Sequence, residues 1–137
     1  MKRKGSSIIF INHSNEILLL LRDNIPTIPY PNMWDLPGGH VEENESPEEC
    51  IIREMKEELN VILDEFDLFA VDEFKDRTEY TFCKKVYFDI DRLKLNEGQM
   101  ISWFTETKAR NTALAYGFNR IVGRFFNNKP FNQYREN

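Results

Sequence analysis

Three glutamates at helical spacing, Glu54, Glu57 and Glu58, are the residues of this chain best suited to chemistry. Side chains three and four positions apart on a helix are neighbours, so carboxylates at these positions repel one another. The repulsion is costly unless a cation lies among them, and carboxylate oxygens are ligands that hard divalent cations prefer. The spacing therefore predicts a site for a divalent metal ion on one side of a helix.

The helix that holds these glutamates has its own start signal. Ser46 is a typical N-cap, Pro47 suits the first helical position, and Glu49 completes a capping box. At about 100° per residue the apolar residues share one arc, and we expect the glutamates on a separate arc that faces a cleft. The apolar residues are Ile51, Ile52, Met55 and Leu59. Asn60 suits the left-handed conformation that ends many helices.

Short apolar segments predict a sheet around this helix. Residues 7–11 and 17–21 are apolar runs on either side of a polar turn, which is typical of a β-hairpin covered on both faces. The prolines in residues 23–33 favour an extended surface loop. Further strands are predicted at residues 34–36 (ending at Pro37-Gly38-Gly39), 66–74, 80–90 and 100–104, and an amphipathic helix from Leu114 to Phe125. Phe131, beyond that helix, is expected to help close the core. Strands before, between and after helices indicate a sheet that lies between helices.

The size and charge of the chain limit the classes of function. We expect one domain, residues 1–137, because this length is enough to bury a core. No segment reaches the roughly 18 apolar residues of a membrane span, and the N-terminal segment is too polar for a secretory signal. Cys50 and Cys83 give no disulfide framework, and these features together predict a cytoplasmic protein with no membrane partner. The net charge of −5 argues against a nucleic-acid polymer as partner but permits a small phosphorylated ligand.

The segment around the glutamates resembles the Nudix box, the signature of the Nudix hydrolases. The resemblance rests on Gly39, Glu45, Arg53-Glu54, Glu57-Glu58 and Val61 at the spacing of that motif. It implies an α/β fold, the Nudix α/β/α sandwich with a mixed β-sheet between helices, over nearly the whole chain. Asn60 stands where the family has a glycine, and asparagine is the next best residue for a left-handed turn.

The resemblance also implies a set of ligands for Mg²⁺, or Mn²⁺, completed by water and substrate phosphate. These ligands are the carboxylates of Glu54, Glu57 and Glu58, a backbone carbonyl at Gly38 and, outside the motif, the carboxylate of Glu97. The segment Glu97-Gly98-Gln99 is similar to a tripeptide of MutT-type members whose glutamate reaches the metal; an exposed loop acid is the alternative. Arg53, which we group with the catalytic residues, and Glu45 are expected to orient the ligands.

One carboxylate must act as general base, and Glu54, Glu57 and Glu97 are all candidates for this role. The metal would neutralise a diphosphate, lower the pKa of a bound water and stabilise the leaving group.

Family position also implies residues that contact the substrate. These are Arg22, Trp34, Leu36 and Gly39. Arg22 matches a phosphate-contacting arginine, although a surface cation at a strand end is the alternative, and packing explains Trp34 equally well. Asn119 lies near the final helix, where MutT reads its purine with an asparagine, but simple polar exposure is the safer interpretation.

We therefore expect an enzyme, a Nudix hydrolase acting on phosphoric anhydride bonds in a nucleoside diphosphate derivative. The MutT-like features favour a nucleoside triphosphate pyrophosphatase that releases a monophosphate and pyrophosphate, with 8-oxo-dGTP as one candidate substrate. The alternatives are a nucleotide-sugar or ADP-ribose pyrophosphatase and a Nudix nucleotide sensor without turnover. The expected partner is a small nucleotide, and either a monomer or a homodimer fits the sequence.

Overall fold

A mixed sheet forms the centre of the fold. The computed structural model describes residues 2–128. Within this range the strands are β1 (Arg3–Ile11), β2 (Ile17–Leu21), β3 (Trp34–Asp35), β4 (Gly38–His40), β5 (Asp67–Glu73), β6 (Arg77–Lys85) and β7 (Met100–Phe104). The helices are α1 (Pro47–Leu59), α2 (Glu106–Arg110) and α3 (Phe118–Asn128), with short 3₁₀ turns at Ile90–Arg92 and Ala115–Gly117. The strand order is β3-β2-β1-β6-β5, with β4 also paired to β1 and β7 to β2. The β1–β6 pair is parallel and the other pairs are antiparallel.

The central strand β1 is buried on both faces of the sheet. Ile8 and Phe10 pack on one face with the apolar side of α1, and Ile9 and Ile11 pack on the other with α2 and α3. Successive side chains of a strand alternate between faces, so a strand covered on both sides is apolar throughout rather than at every second residue. The layers are thus helix, mixed sheet and helix, which confirms the predicted α/β/α sandwich.

Most of the predicted elements are present. The apolar runs at residues 7–11 and 17–21 form the β1–β2 hairpin, with Ile11 opposite Ile17. Residues 23–33 contain no helix or strand, as their prolines predict. The strands predicted at residues 34–36, 66–74 and 100–104 are β3, β5 and β7.

Helix α1 begins and ends as the sequence predicts. The Ser46 hydroxyl accepts from the Glu49 N–H at 3.0 Å, and the Glu49 carboxylate accepts from the Ser46 N–H at 2.9 Å, so the capping box is complete. Asn60 has φ 56° and ψ 36°, and its N–H donates to the carbonyls of Met55 and Lys56. Asparagine therefore supplies the left-handed turn that the family makes with glycine.

Several details of the predicted elements were wrong. The strand expected to end at Pro37 is followed by a further strand, β4, whose Gly38 pairs with Ser7. A Cβ on Gly38 (φ +152°) would overlap the Ser6 carbonyl oxygen. Only glycine therefore lets the two backbones approach this closely. The strand predicted at residues 80–90 starts earlier and ends at Lys85, and α3 starts at Phe118 rather than at Leu114. The short helix α2 was not predicted.

Two further expectations concern the core contact of Phe131 and the absence of a membrane span. Phe131 lies outside the described residues. Among residues 2–128, no helix is long and apolar enough to cross a membrane.

Candidate active site

A cavity of about 320 Å³ lies where α1, the β3–β4 connection and β6 meet. Its acidic lining residues are Asp35, Glu54, Glu58, Glu79 and Glu97, and its arginines are Arg22 and Arg77. The cavity also contacts Leu36, Gly38, Gly39 and Tyr116. The cavity thus brings together carboxylates from a helix, a strand and a loop that are far apart in the sequence.

The glycines before α1 bring the backbone against two of these carboxylates. The Gly38 N–H donates to Glu58 Oε1 at 3.1 Å. A Cβ on Gly39 would overlap the carboxylate of Glu54. Because residue 39 has no side chain, the Glu54 carboxylate can lie directly against the β4 backbone.

The glutamates of α1 do not share one environment. The prediction that all three lie together on a separate acidic arc was wrong in this respect. Glu58 follows Ile51 by almost two full turns at about 100° per residue, so it lies on the buried side of the helix and is only 7% exposed. Ile52, predicted to be in the core, is 42% exposed. Glu54 and Glu58 line the cavity, whereas the side chain of Glu57 is 56% exposed and does not line it.

Burial and mutual repulsion raise the pKa of the cavity carboxylates. Burial raises the pKa of Glu58 to about 9, with smaller contributions from the charges of Glu54 and Glu97. Burial also raises the pKa of Glu54 to about 7; Arg53 opposes this, and the charges of Glu57 and Glu97 add to it. Glu97 lines the same cavity as Glu54 and Glu58.

Arg53 connects the carboxylates to Glu45. Its Nε and Nη2 donate to the Glu45 oxygens at 2.7 and 3.0 Å, and these bonds lower the pKa of Glu45 to about 2. Its Nη1 donates to Glu54 Oε1 and Glu57 Oε2, each at 3.3 Å, and Nη2 reaches the His40 carbonyl at 3.2 Å. These contacts suit the orienting role predicted for Arg53 and Glu45.

The Glu97 loop is attached at both ends. Asn96 donates from its backbone N–H to the Glu58 carbonyl and from its side chain to the Glu57 carbonyl, each at 2.8 Å, at the C-terminal end of α1. Gln99 donates from its backbone N–H to the Leu21 carbonyl at the end of β2, also at 2.8 Å. Between them Gly98 has φ +87°, a conformation that favours glycine.

The residues predicted to bind substrate occupy different places. Leu36 and Gly39 line the cavity. Arg22 lines it too, but its Nη1 donates to Asp35 Oδ2 at 3.1 Å and its Nε to the Pro29 carbonyl at 2.9 Å. Trp34 does not line the cavity; its ring packs edge-on against Phe104, with 4.7 Å between ring centroids.

The donor set of the cavity fits a hard cation. Within residues 2–128 no group of three or more His, Cys, Asp or Glu side chains is arranged to hold a metal ion, and Glu54 and Glu57 are paired with Arg53. The cavity nevertheless has an excess of carboxylates over arginines, and burial together with this like charge disfavours the ionised forms of Glu54 and Glu58. A divalent cation would remove that cost, so the predicted metal site stays a prediction that the chemistry supports.

A family model for the NUDIX domain matches residues 1–123. The chain belongs to the Nudix family. The resemblance of residues 39–61 to the Nudix box is thereby confirmed, together with a fold that extends well beyond that motif.

Named relatives of this Nudix chain act on nucleotides. An 8-oxo-dGTP diphosphatase from Escherichia coli (strain K12) is 32% identical over 74 residues, which are 54% of this chain and 51% of that protein. An ADP-ribose pyrophosphatase from Methanocaldococcus jannaschii is 36% identical over 81 residues, which are 59% of this chain and 46% of that protein. The chain thus spans about half the length of these curated relatives. A structure from a study of MutT of Aliivibrio salmonicida and Vibrio cholerae has a TM-score of 0.77 at 22% identity, covering 93% of this chain and 99% of that one, which confirms the Nudix fold.

The Nudix cavity includes residues that sequence reasoning missed. Arg77 Nε donates to Glu79 Oε1 at 2.6 Å, and its Nη2 donates to the Tyr116 carbonyl at 2.9 Å. Arg77 and Glu79 are two residues apart on β6 and point to the same face. That alternation is visible in the sequence, but the predicted strand began only after Glu79. No local signal marks Asp35 or Tyr116, because tertiary packing brings them to the cavity.

Asn119 does not contribute to the cavity of this Nudix chain. Its Oδ1 accepts from the Leu114 N–H and its Nδ2 donates to the Thr112 carbonyl, each at 2.8 Å. Both ends of the amide therefore hold the turn before α3. This role explains the residue without a substrate contact.

Proposed function

We propose that this Nudix-family chain is a metal-dependent hydrolase of the pyrophosphate linkage in nucleoside diphosphate derivatives. Within that class we propose a MutT-like nucleoside triphosphate pyrophosphatase that releases a nucleoside monophosphate and pyrophosphate. The observation that supports this function best is the burial of Glu54 and Glu58 in a cavity that Glu97 also lines. The relative named as an 8-oxo-dGTP diphosphatase makes 8-oxo-dGTP a candidate substrate.

The proposed cofactor is Mg²⁺, with Mn²⁺ as a substitute. Its ligands would be the carboxylates of Glu54, Glu57, Glu58 and Glu97, with a backbone carbonyl at Gly38. When bound, the ion would neutralise the diphosphate and lower the pKa of a water molecule. Arg53 would keep the Glu54 and Glu57 carboxylates in position, because one Nη1 group donates to both.

Among the candidates for the general base we favour Glu54. The Glu54 carboxylate lines the cavity, and its side chain is only 15% exposed, so it can be held close to the reacting groups. Its carboxylate is also fixed by packing against Gly39 and by the bond from Arg53. Glu57 is more exposed but is bonded to the same Arg53 Nη1 as Glu54, so we assign it to metal binding.

A second candidate is an ADP-ribose or nucleotide-sugar pyrophosphatase. It is favoured by the relative named as an ADP-ribose pyrophosphatase, which matches over 81 residues. The two candidates differ in their products. A triphosphate pyrophosphatase releases inorganic pyrophosphate, whereas cleavage of ADP-ribose gives AMP and ribose phosphate.

Turnover of a nucleotide panel in the presence of Mg²⁺ tests both candidates. We expect wild-type protein to release pyrophosphate from nucleoside triphosphates, and Glu57→Gln to lower kcat by orders of magnitude because it removes a charged metal ligand. Glu48→Gln is the matched control, since Glu48 is an exposed glutamate in the first turn of the same helix. Near-native activity of Glu57→Gln would contradict the assignment of the metal ligands. Binding of nucleotides without any turnover would instead support a Nudix nucleotide sensor.

We further propose that the protein acts in the cytoplasm on small nucleotides rather than on nucleic-acid polymers. The net charge of −5 supports a small ligand over a polymer, because binding along a nucleic-acid polymer needs a basic surface.

A further inference from the structure

The central sheet has two edge strands that are long enough to pair with another chain. Apart from the short strands β3 and β4, the strands of residues 2–128 that pair on one side only are β5, with β6, and β7, with β2. A strand at the edge of a sheet presents a row of unpaired backbone N–H and C=O groups, and a strand of another chain can bond to them. Each of these two edges is therefore a candidate interaction surface.

The β5 edge is protected against such pairing. Asp67, Asp72 and Glu73 give it negative charge at both ends, and its register with β6 shifts between Leu68 and Ala70. Antiparallel pairing of β5 with its own copy over its full length would bring Asp67 opposite Glu73, and like charges opposite each other are destabilising. Charged residues and irregular register are both features that keep edge strands unpaired.

The β7 edge has none of this protection. Its five residues, Met100–Phe104, include no charged side chain and pair with β2 without a register shift. Met100 is 47% exposed, and the next three residues are partly exposed. Ile101 and Trp103 pack against the apolar cluster on the α1 side of the sheet, so the strand is held in its extended form before any partner binds. β7 is thus a preformed and uncharged surface for strand pairing.

We propose that two copies of this chain form a dimer in which their β7 strands pair antiparallel about a two-fold axis at Ser102. Full overlap of a five-residue strand with its own copy places the middle residue opposite itself, and the middle residue is Ser102. The other opposed positions are Met100 with Phe104 and Ile101 with Trp103. No pair brings like charges together, and apolar pairs across antiparallel strands are stabilising. β7 is therefore complementary to its own copy, as a two-fold interface between identical subunits requires.

The arrangement of the sheet also explains why assembly would stop at two copies. Both copies use the same edge, so the interface closes on itself. The joined sheet would end on both sides in β5, the edge that charge protects. One short strand from each copy makes a small contact, so we expect the dimer to dissociate on dilution. The proposal goes beyond the proposed hydrolase function and does not depend on it.

Sedimentation velocity of the full chain, from micromolar to millimolar concentration, tests this proposal. We expect wild-type protein to shift reversibly from monomer to dimer as its concentration rises. Ser102→Lys places two positive charges opposite each other at the axis and should raise the dimer Kd by about tenfold or more, and Ser102→Glu should do the same with negative charges. An equal mixture of the two variants should recover a mixed dimer, because opposite charges then face each other. Val71→Lys, at a position 49% exposed on β5, is the matched control and should keep the wild-type Kd.

Each outcome supports or overturns the pairing of β7. A wild-type protein that stays monomeric over this range overturns it, whatever the variants do. A folded Ser102→Lys protein that keeps the wild-type Kd overturns it as well, and loss of the dimer in Val71→Lys would place the interface at β5 instead. If the Ser102 variants fail to fold, Met100→Lys at the exposed start of β7 takes their place, and an unchanged Kd in that variant overturns the proposal. A mixture that recovers no dimer would contradict the axis at Ser102.

Discussion

The carboxylates of the Nudix box have different surroundings at the scale of single residues. Glu58 is buried and bonded to the Gly38 N–H, Glu54 packs against Gly39, and Glu57 is largely exposed. The spacing of the motif predicted which residues meet, because helix geometry is local. It did not predict their burial, since this depends on where the sheet and the β3–β4 connection pack against α1. Arg53 donates to two of these carboxylates, Glu54 and Glu57.

Arg53→Lys should therefore lower activity while the fold is retained. Lysine keeps the charge but cannot donate from a planar fork to both oxygens of Glu45 and also reach Glu54. Loss of a group that orients metal ligands lowers activity or metal affinity by about 10- to 100-fold. Steady-state kinetics over a range of Mg²⁺ concentrations measures both effects. Arg92→Lys, at a side chain 87% exposed, is the control, and equal kinetics of the two variants would contradict the orienting role.

At the scale of elements, the sequence predicted features that depend on local signals better than features that depend on tertiary contacts. Helix α1 was predicted with its start and end because Ser46, Glu49 and Asn60 act within one turn of the backbone. Strand β4 was missed because its pairing with β1 depends on contacts between segments that are distant in the sequence. The attachment of Asn96 to the end of α1 also depends on a contact between distant segments. No pattern within residues 96–99 indicates it.

Removal of this attachment should affect catalysis more than stability. In Asn96→Ala the side-chain bond to the Glu57 carbonyl is lost, and the Glu97 loop is held at that end only by the backbone bond to Glu58. We expect kcat to fall about tenfold because Glu97 is less well positioned. One exposed hydrogen bond contributes only about 1 kcal/mol to the free energy of unfolding. Denaturant unfolding and kinetics measure the two effects. Asn127→Ala is the control, since Asn127 also makes one exposed side-chain bond, to Arg110 on α2; an equal kcat in both variants would exclude the positioning role.

At the scale of the whole molecule, packing concentrates negative charge around one cavity. The sequence predicted the sandwich and the acidic residues of the Nudix box, because alternation and helical periodicity are visible along the chain. It could not predict that Asp35, Glu54 and Glu58 would share a buried environment, since that follows from how the layers close. Each of these groups has a raised pKa, to about 7, 7 and 9. Metal-free stability should therefore depend on pH in a direction that the structure fixes.

A group whose folded-state pKa lies above its ordinary value binds its proton more tightly in the folded than in the unfolded chain. For Glu58 this holds between its ordinary pKa of 4.5 and about 9, so the free energy of unfolding of metal-free protein should fall from pH 6 to pH 8, by about 1 kcal/mol per pH unit. Mg²⁺ binds the ionised carboxylates and should raise Tm more at pH 8 than at pH 6, because fewer protons must then be displaced. Thermal unfolding with Mg²⁺ or with EDTA measures both trends.

Glu58→Gln should flatten the pH dependence of metal-free stability and weaken the Mg²⁺ effect, whereas Glu48→Gln should change neither. A metal-free free energy of unfolding that rises over this pH range would contradict the raised pKa of the buried carboxylates.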